Sequence, residues 1–393
     1  MSGFDPTFGE EHEAYRDEVR RFVAKEIDPF AETWETERDF PRDLFTKAGV
    51  AGLFGAKFDE RWGGTGPDYA AEAVVIEELS RSLTFGTASD LGAHSQLASL
   101  YVDRFGSDDQ KERYLRPSIT GELLGALAVT EPEAGSDVAA IRTRARRDGD
   151  EWVIDGSKVY ITNGSWADYL VVAARTADDP GHGNLTLFVV DADTLGLTRN
   201  RMRLIAWHTS HTGELFFEGV RVPDTNRLGE VGSGFASIMS NFQWERVVLS
   251  LSALSLAQLS LDTAIAYARE RKAFGRPVIG FQVWQHRFAD LAVQIRTSKA
   301  LTHKALRFHI AAERGEPVER DDLVRVTSMA KLHSQRLAWR VADECVQVHG
   351  GAGALMEYPA QRFWRDARVG PIGGGTDDIM RNIIAKTLGL GVA

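Results

Sequence analysis

The fold turns on Glu151-Trp152-Val153-Ile154-Asp155-Gly156-Ser157-Lys158-Val159-Tyr160-Ile161-Thr162. β-branched and aromatic residues fill this stretch. Asp-Gly pairs, which suit tight hairpin turns, stand just before it at Asp148-Gly149 and inside it at Asp155-Gly156. It reads as two strands, Glu151 to Ile154 and Lys158 to Thr162, folded back on each other at the inner pair. Comparable runs lie around it: Leu123 to Val129, Leu170 to Ala174, Leu185 to Val190 and Glu214 to Val222. Short strands at regular spacing predict an antiparallel sandwich or barrel, not alternating β-α units.

Working outward, the period changes on both sides. Upstream, Tyr15, Val19, Phe22, Val23, Ile27 and Phe30 recur at three- and four-residue spacing, with Pro29 disturbing the end. Pro41 suits the first turn of another helix and Gly49 its end. Asp68 is placed to cap the helix carrying Val74, Val75 and Leu79, and Ser107 with Gln110 reads as a capping box. Downstream of Pro223 and the glycine-rich Gly229 to Gly234 segment, apolar-striped stretches run from Phe235 to Lys272, Gln282 to Arg314 and Arg320 to His349, as a helix bundle requires. The expected fold class is therefore α+β. It comprises an N-terminal helical domain (1–121), a middle antiparallel β-sandwich or barrel (122–231) and a C-terminal four-helix bundle (232–393).

Composition narrows the function. With 393 residues, 43% of them hydrophobic, the chain has material for more than one core. A net charge of -10 argues against nucleic acid as a partner and leaves no basic stripe for an anionic membrane. One cysteine, Cys345, excludes an internal disulfide framework and a multi-cysteine metal site. The start resembles neither a secretory signal nor a transit segment, and no run of 18 or more apolar residues occurs, so a soluble cytoplasmic protein is expected. The glycine signatures of nicotinamide and P-loop nucleotide sites are missing, as are His-Glu-x-x-His and Gly-x-Ser-x-Gly. His208 and His211 lack a third ligand nearby in sequence, so ordinary hydrogen bonding is expected of them and no metal site.

Glu245 stands out on physical grounds. It lies three residues after Phe242 and four before Leu249, on the apolar stripe that includes Ile238 and Met239. A carboxylate there is costly unless it is ion-paired with another helix or chemically employed. Arg246, about 100° round the helix, is not an obvious partner. Two strand ends also invite attention, Thr130-Glu131-Pro132-Glu133-Ala134-Gly135-Ser136-Asp137 and Tyr160-Ile161-Thr162-Asn163-Gly164. They suit turn-forming loops, or a rim offering backbone N–H groups and a hydroxyl to a planar heterocycle.

These segments, with Arg271-Lys272-Ala273-Phe274-Gly275, Gln347-Val348-His349-Gly350-Gly351 and Gly373-Gly374-Gly375-Thr376, resemble the acyl-CoA dehydrogenase family in order and spacing over nearly the whole chain. The resemblance implies FAD as cofactor. Ala128, Val129, Thr130, Ser136, Tyr160, Ile161 and Thr162 would line the isoalloxazine; the family often has Trp where this chain has Tyr160. Arg271, Phe274 and Gln282, with Gln347, Val348, His349, Gly350 and Gly351 of a neighbouring subunit, would hold the pyrophosphate and adenosine end. Thr376 and Asp378 would complete the site. The family usually assembles as a dimer of dimers, and electrons leave through an electron-transfer flavoprotein.

One departure matters. Many members carry the catalytic base in a Tyr-Glu-Gly-Thr run, which here reads Gly373-Gly374-Gly375-Thr376. A branch that includes isovaleryl-CoA and long-chain dehydrogenases supplies the glutamate from the first helix of the C-terminal domain, and that position is Glu245. The resemblance then implies that Glu245 removes the α-proton of a saturated acyl-CoA while hydride leaves the β-carbon. The thioester carbonyl would be held by the Gly374 N–H, and Ser136, Arg246 and Gly375 would face the substrate. Losing two side chains at Gly373 and Gly374 is expected to free volume that suits a branched or bulky acyl chain, and that a longer linear chain could also fill. The alternatives are a flavin oxidase or monooxygenase of the same fold, or a non-catalytic acyl-thioester binder.

Overall fold

The computed structural model describes residues 7–177 and 182–391, so the outer domain limits at 1 and 393 lie outside the described residues. Helices occupy the N-terminal region as far as Ile119. The first, α1 (Glu10–Glu26), buries Val19, Phe22 and Val23 and gives way to a short 3-10 turn that contains Pro29. Asp68 caps α2 (Tyr69–Leu79), accepting from the N–H groups of Ala70 and Ala71 at 2.8 and 2.9 Å. Ser107 and Gln110 form the expected reciprocal box. The helix expected from Pro41 begins two residues later, at Asp43, and Gly49 lies within it, where an added Cβ would overlap the Thr120 carbonyl.

The middle region holds β1 (Gly125–Ala128), β2 (Arg144–Asp148), β3 (Glu151–Ile161), β4 (Tyr169–Arg175), β5 (Leu185–Asp191), β6 (Leu197–Arg201), β7 (Gly213–Pro223) and β8 (Arg227–Leu228). Their order is β6-β7-β3-β2-β4-β5-β8, with β1 beside β4. Most pairings are antiparallel, but β1 runs parallel to β4, and β2 touches β4 at one parallel pair, Arg144 with Arg175. The sheet is thus two antiparallel stretches, β6-β7-β3-β2 and β4-β5-β8, joined at that pair, with β1 laid parallel on β4, which corrects the purely antiparallel expectation.

The inner Asp155-Gly156 pair is not a turn. β3 runs straight through it, and Gly156 (φ +148°) marks a shift of register against β7. A Cβ there would come within 2.5 Å of the Thr143 hydroxyl, so the glycine admits a close neighbour instead of reversing the chain. The hairpin is the outer one, where Asp148 faces Glu151 and Gly149 (φ +65°) supplies the left-handed residue. β4 and β5 read as unbroken apolar runs because both faces are covered. Leu170, Val172, Phe188 and Val190 join the core under the N-terminal helices. Val171, Leu187 and Val189, one residue out of phase, join the core shared with the C-terminal helices.

The C-terminal region is built on α3 (Gly234–Glu270), α4 (Gln282–Glu313) and α5 (Arg320–His349), close to the predicted ends. The shorter α6 (Pro359–Ala367) and α7 (Asp377–Thr387) complete it, so the bundle has three long helices with two short ones packed against α5. By length and composition α3 could cross a membrane, yet more than half of its apolar stretch is buried within the protein.

Candidate active site

The stripe on α3 is only partly covered. Ile238, Val247 and Leu251 are fully buried, whereas Met239, Phe242, Glu245, Val248 and Leu249 remain half-buried. Trp244, wholly buried, fixes the rotation of this turn: its indole N–H donates to Gln96 at 2.8 Å and its ring stacks on His309. Glu245, next on the helix, is left partly open. Burial by its surroundings lifts its carboxyl above the usual range, against the pull of the Arg246 and Lys331 charges. Arg246 is 6% exposed and forms no ion pair among the described residues. The ion pair weighed for Glu245 is likewise not observed among the described residues.

The glycine segment meets Glu245. Gly374 has φ +60°, and a Cβ placed on it would stand 3.5 Å from Glu245 Oε1. The two stretches that the sequence places about 130 residues apart thus share one site. The same hypothetical Cβ would overlap Leu249 Cδ1, so the volume expected to be free at Gly374 is filled by Leu249, one helical turn from Glu245. At Gly373 the nearest atom is the Val369 carbonyl oxygen at 3.8 Å, and room remains. Gly375 (φ +90°) follows, and the Thr376 hydroxyl caps α7 through the Ile379 N–H at 3.3 Å. Asp378 is exposed and paired with Arg381 at 2.7 Å.

A second cluster forms where β1 and β3 end. The Val159 N–H donates to the Thr130 carbonyl at 3.0 Å, joining the two predicted strand ends. Ala128, Val129 and Ile161 are buried and offer only backbone, while Thr130 and Thr162 stay partly exposed and Ser136 is exposed. Tyr160 is 64% exposed with φ +60°, inside a register irregularity between Lys158 and Ile161. A bulky residue held in the left-handed region at a bulge is a common way to aim a side chain.

A third group lies at the far end of α3. Arg271, Gln282 and Gln347 are exposed, and Phe274 is 96% exposed with φ +51°. Tyr267 joins this corner to the turn after α5: its ring stacks on His349 at 4.0 Å and its hydroxyl donates to the His349 carbonyl at 3.3 Å. Val348 and His349 turn into the bundle, leaving Gly350 and Gly351 open, with nothing within 4 Å of an added Cβ on either. Arg271 follows Glu245 by about 26 residues of helix, roughly 39 Å along its axis. His208 and His211 make ordinary bonds; His211, for instance, meets Asp39 at 2.8 Å and Asp90 at 3.3 Å.

Three family descriptions cover this chain: acyl-CoA dehydrogenase N-terminal domain over residues 9–122, middle domain over 126–220 and C-terminal domain over 232–389. The chain belongs to the acyl-CoA dehydrogenase family. The long-chain specific acyl-CoA dehydrogenase, mitochondrial, of Sus scrofa is 37% identical over 390 residues, 98% of this chain and 88% of that protein. An acyl-CoA dehydrogenase structure from Geobacillus kaustophilus superposes with TM-score 0.90 at 37% identity, over 97% of this chain and 98% of that one. A Mycobacterium smegmatis glutaryl-CoA dehydrogenase in complex with FADH2 gives TM-score 0.90 at 29% identity, over 99% and 97% of the two chains. The enzyme is thus a flavin-dependent oxidoreductase acting on acyl-CoA, and its cofactor is FAD. The residues present suit that group in kind: Tyr160 and Phe274 are exposed aromatics held in left-handed conformation, and Gly350 and Gly351 leave open backbone of the sort a pyrophosphate can approach.

Sequence reasoning passed over two buried lysines of this dehydrogenase, Lys158 and Lys331, both wholly buried. Lys158 binds the Val129 carbonyl at 2.9 Å and Glu131 at 2.7 Å, tying the loop after β1 to β3. Lys331 shares a face of α5 with Ser334, Ala338 and Val341, so the argument that exposed Glu245 would have found it too.

Proposed function

We propose that the enzyme belongs to the branch whose base lies on the first C-terminal helix, with Glu245 as that base. The observation that carries this reading is the 3.5 Å between Glu245 Oε1 and the Cβ position of Gly374, the place where other members carry their glutamate. Glu245 takes the α-proton, and the Gly374 N–H donates to the thioester carbonyl as its oxygen gains charge. When bound, FAD supplies the acceptor for the β-hydride, giving a 2,3-enoyl thioester. Thr130, Tyr160 and Thr162 hold the ring system, with Ser136 at the rim; Arg246 and Gly375 order the substrate. The raised affinity of Glu245 for a proton brings base and carbon acid closer in strength.

The roughly 39 Å from Glu245 to Arg271 exceeds the span of one dinucleotide. Arg271, Phe274 and Gln282 therefore serve a second subunit's FAD, together with Gln347 to Gly351 from the same end of the bundle. On this reading they act on a neighbouring chain's cofactor and the enzyme works as at least a dimer, with a dimer of dimers as the working assembly. Room at Gly373, with Leu249 filling the space at Gly374, favours a branched or bulky acyl group near the β-carbon, within fatty or branched-chain acyl-CoA metabolism. An electron-transfer flavoprotein is the acceptor and the cytoplasm the compartment. Domain limits of 1–121, 122–231 and 232–393 accompany this reading.

The test is anaerobic addition of a panel of saturated acyl-CoA thioesters while flavin absorbance is followed. Bleaching is expected with the parent and should slow by about 10²- to 10⁴-fold in Glu245→Gln with flavin still bound. Unchanged bleaching in that variant removes Glu245 from the mechanism. Rapid reoxidation of the bleached enzyme by air would favour the oxidase alternative.

A further inference from the structure

α5 reaches the glycine segment with three consecutive contacts. The Lys331 ammonium donates to the Gly370 carbonyl at 3.0 Å and to the Gly375 carbonyl at 2.6 Å. Gln335, one turn on, donates to the Leu249 carbonyl at 2.7 Å and packs where a Cβ on Gly370 would sit. Arg336 pairs with Asp377 at 2.5 Å. The two carbonyls held by Lys331 bracket Gly374, and glycines on both sides leave that segment little stiffness of its own. Lys331 is wholly buried and meets no carboxylate within 4 Å among the described residues, so no ion pair cancels its charge.

We infer that Lys331 is a positioning residue for α-proton removal: it fastens both ends of the segment so that the Gly374 N–H meets the thioester carbonyl, and its positive charge favours the electron density that gathers on that oxygen. The inference rests on the roles proposed for Glu245 and Gly374. In the step itself the α-proton moves to the Glu245 carboxylate, the C–H electron pair spreads onto the thioester oxygen, and Lys331 keeps its proton. Glu245 and Arg246 on α3, Asp377 on α7 and Arg336 on α5 are the charges around it. Burial pulls the Lys331 ammonium down to about 8, opposed by Asp377 and Glu245 and reinforced by Arg246. It is charged at neutral pH and titrates just above.

A staple alone would not need a charge, and that separates the two roles. The probe is an acyl-CoA analogue with sulfur in place of the β-carbon, which can lose an α-proton but has no hydride to give. Its α-hydrogen exchange in D2O is followed by NMR with flavin-loaded parent, Lys331→Met, Lys331→Gln and Lys331→Arg. Exchange by the parent should fall off above pH about 8. Lys331→Met should be slower by about tenfold or more at neutral pH and lose that limb, and Lys331→Gln, which returns a donor without charge, should stay slow. Lys331→Arg should recover most of the rate. Parent-like exchange in Lys331→Met, or full recovery in Lys331→Gln, overturns the inference. If Lys331→Met does not fold, the Gln and Arg variants and the parent's own limb decide. Glu245→Gln is run alongside: parent-like exchange there would sink the base assignment itself, whatever the lysine variants do.

Discussion

Two buried lysines hold two loops of this dehydrogenase, and they do so differently. Lys158, under the ends of β1 and β3, is neutralised by Glu131, which also accepts from the N–H groups of Arg142 and Thr143 at 2.6 and 2.9 Å. Lys331, under the glycine segment that faces Glu245, is held by carbonyl dipoles alone. A buried charge with a matched partner is spent on fastening. One left without an ionic partner keeps a field that reaches its neighbours, here Glu245 and Asp377. The loop after β1 is thus fastened by a matched pair, and the surroundings of Glu245 are electrostatically live.

The strongest way to break this contrast is Glu131→Ala. Removing one member of a buried pair strands the other, at about 3–5 kcal/mol. Lys158 in the parent is already pulled down to about 8 by burial, against the pull of Glu131, and losing that partner lowers it further. The folded variant then sheds that proton at lower pH than the folded parent, so the deficit should shrink as pH rises towards about 8 and hold steady above it. Chemical denaturation at pH 7 and pH 9 checks both parts. A loss under 1 kcal/mol would mean that the pair fastens nothing.

Gly374→Ala is the next step down and probes the live side. Its cost has two sources: φ +60° disfavours a Cβ by about 1–2 kcal/mol, and the new methyl must displace Leu249. Adding Leu249→Ala to it should return the steric share and leave the conformational one, a non-additive result in a double-mutant cycle of unfolding free energies. Strict additivity would mean that Leu249 does not fill that space.

The same contrast explains what could be read from the sequence. The long helices announced themselves because their stripes are long, and Glu245 showed because a charge interrupts one of them. β2, Arg144-Ala145-Arg146-Arg147-Asp148, escaped because four of its five side chains are charged and only Ala145 faces inward. Asp155-Gly156 misled because the pair fits a turn or a close approach equally well, and only the tertiary neighbour Thr143 decides between them. Leu249 filling the Gly374 space was beyond reach, since it depends on how α3 meets a loop far away in sequence. Lys331 was legible and overlooked.

The smallest effect concerns Glu245 and runs against intuition. Its carboxyl is raised by burial, so between the ordinary glutamate range and its folded value the native state holds a proton that the unfolded chain releases. Stability falls as pH rises through that window, and the cost persists above it, where Glu245 is ionised in a site that disfavours the charge. Below the ordinary range both states are neutral and the cost vanishes. Glu245→Gln, the variant expected to lose activity, should therefore unfold at a higher temperature than the parent at pH 7 to 8, and the gap should close as pH approaches 4. Thermal unfolding of the two flavin-loaded proteins across that range measures it. A Glu245→Gln protein that is less stable than the parent at neutral pH would show the carboxylate to be a structural partner, and would place it with Lys158 among the fastened charges instead of beside Lys331.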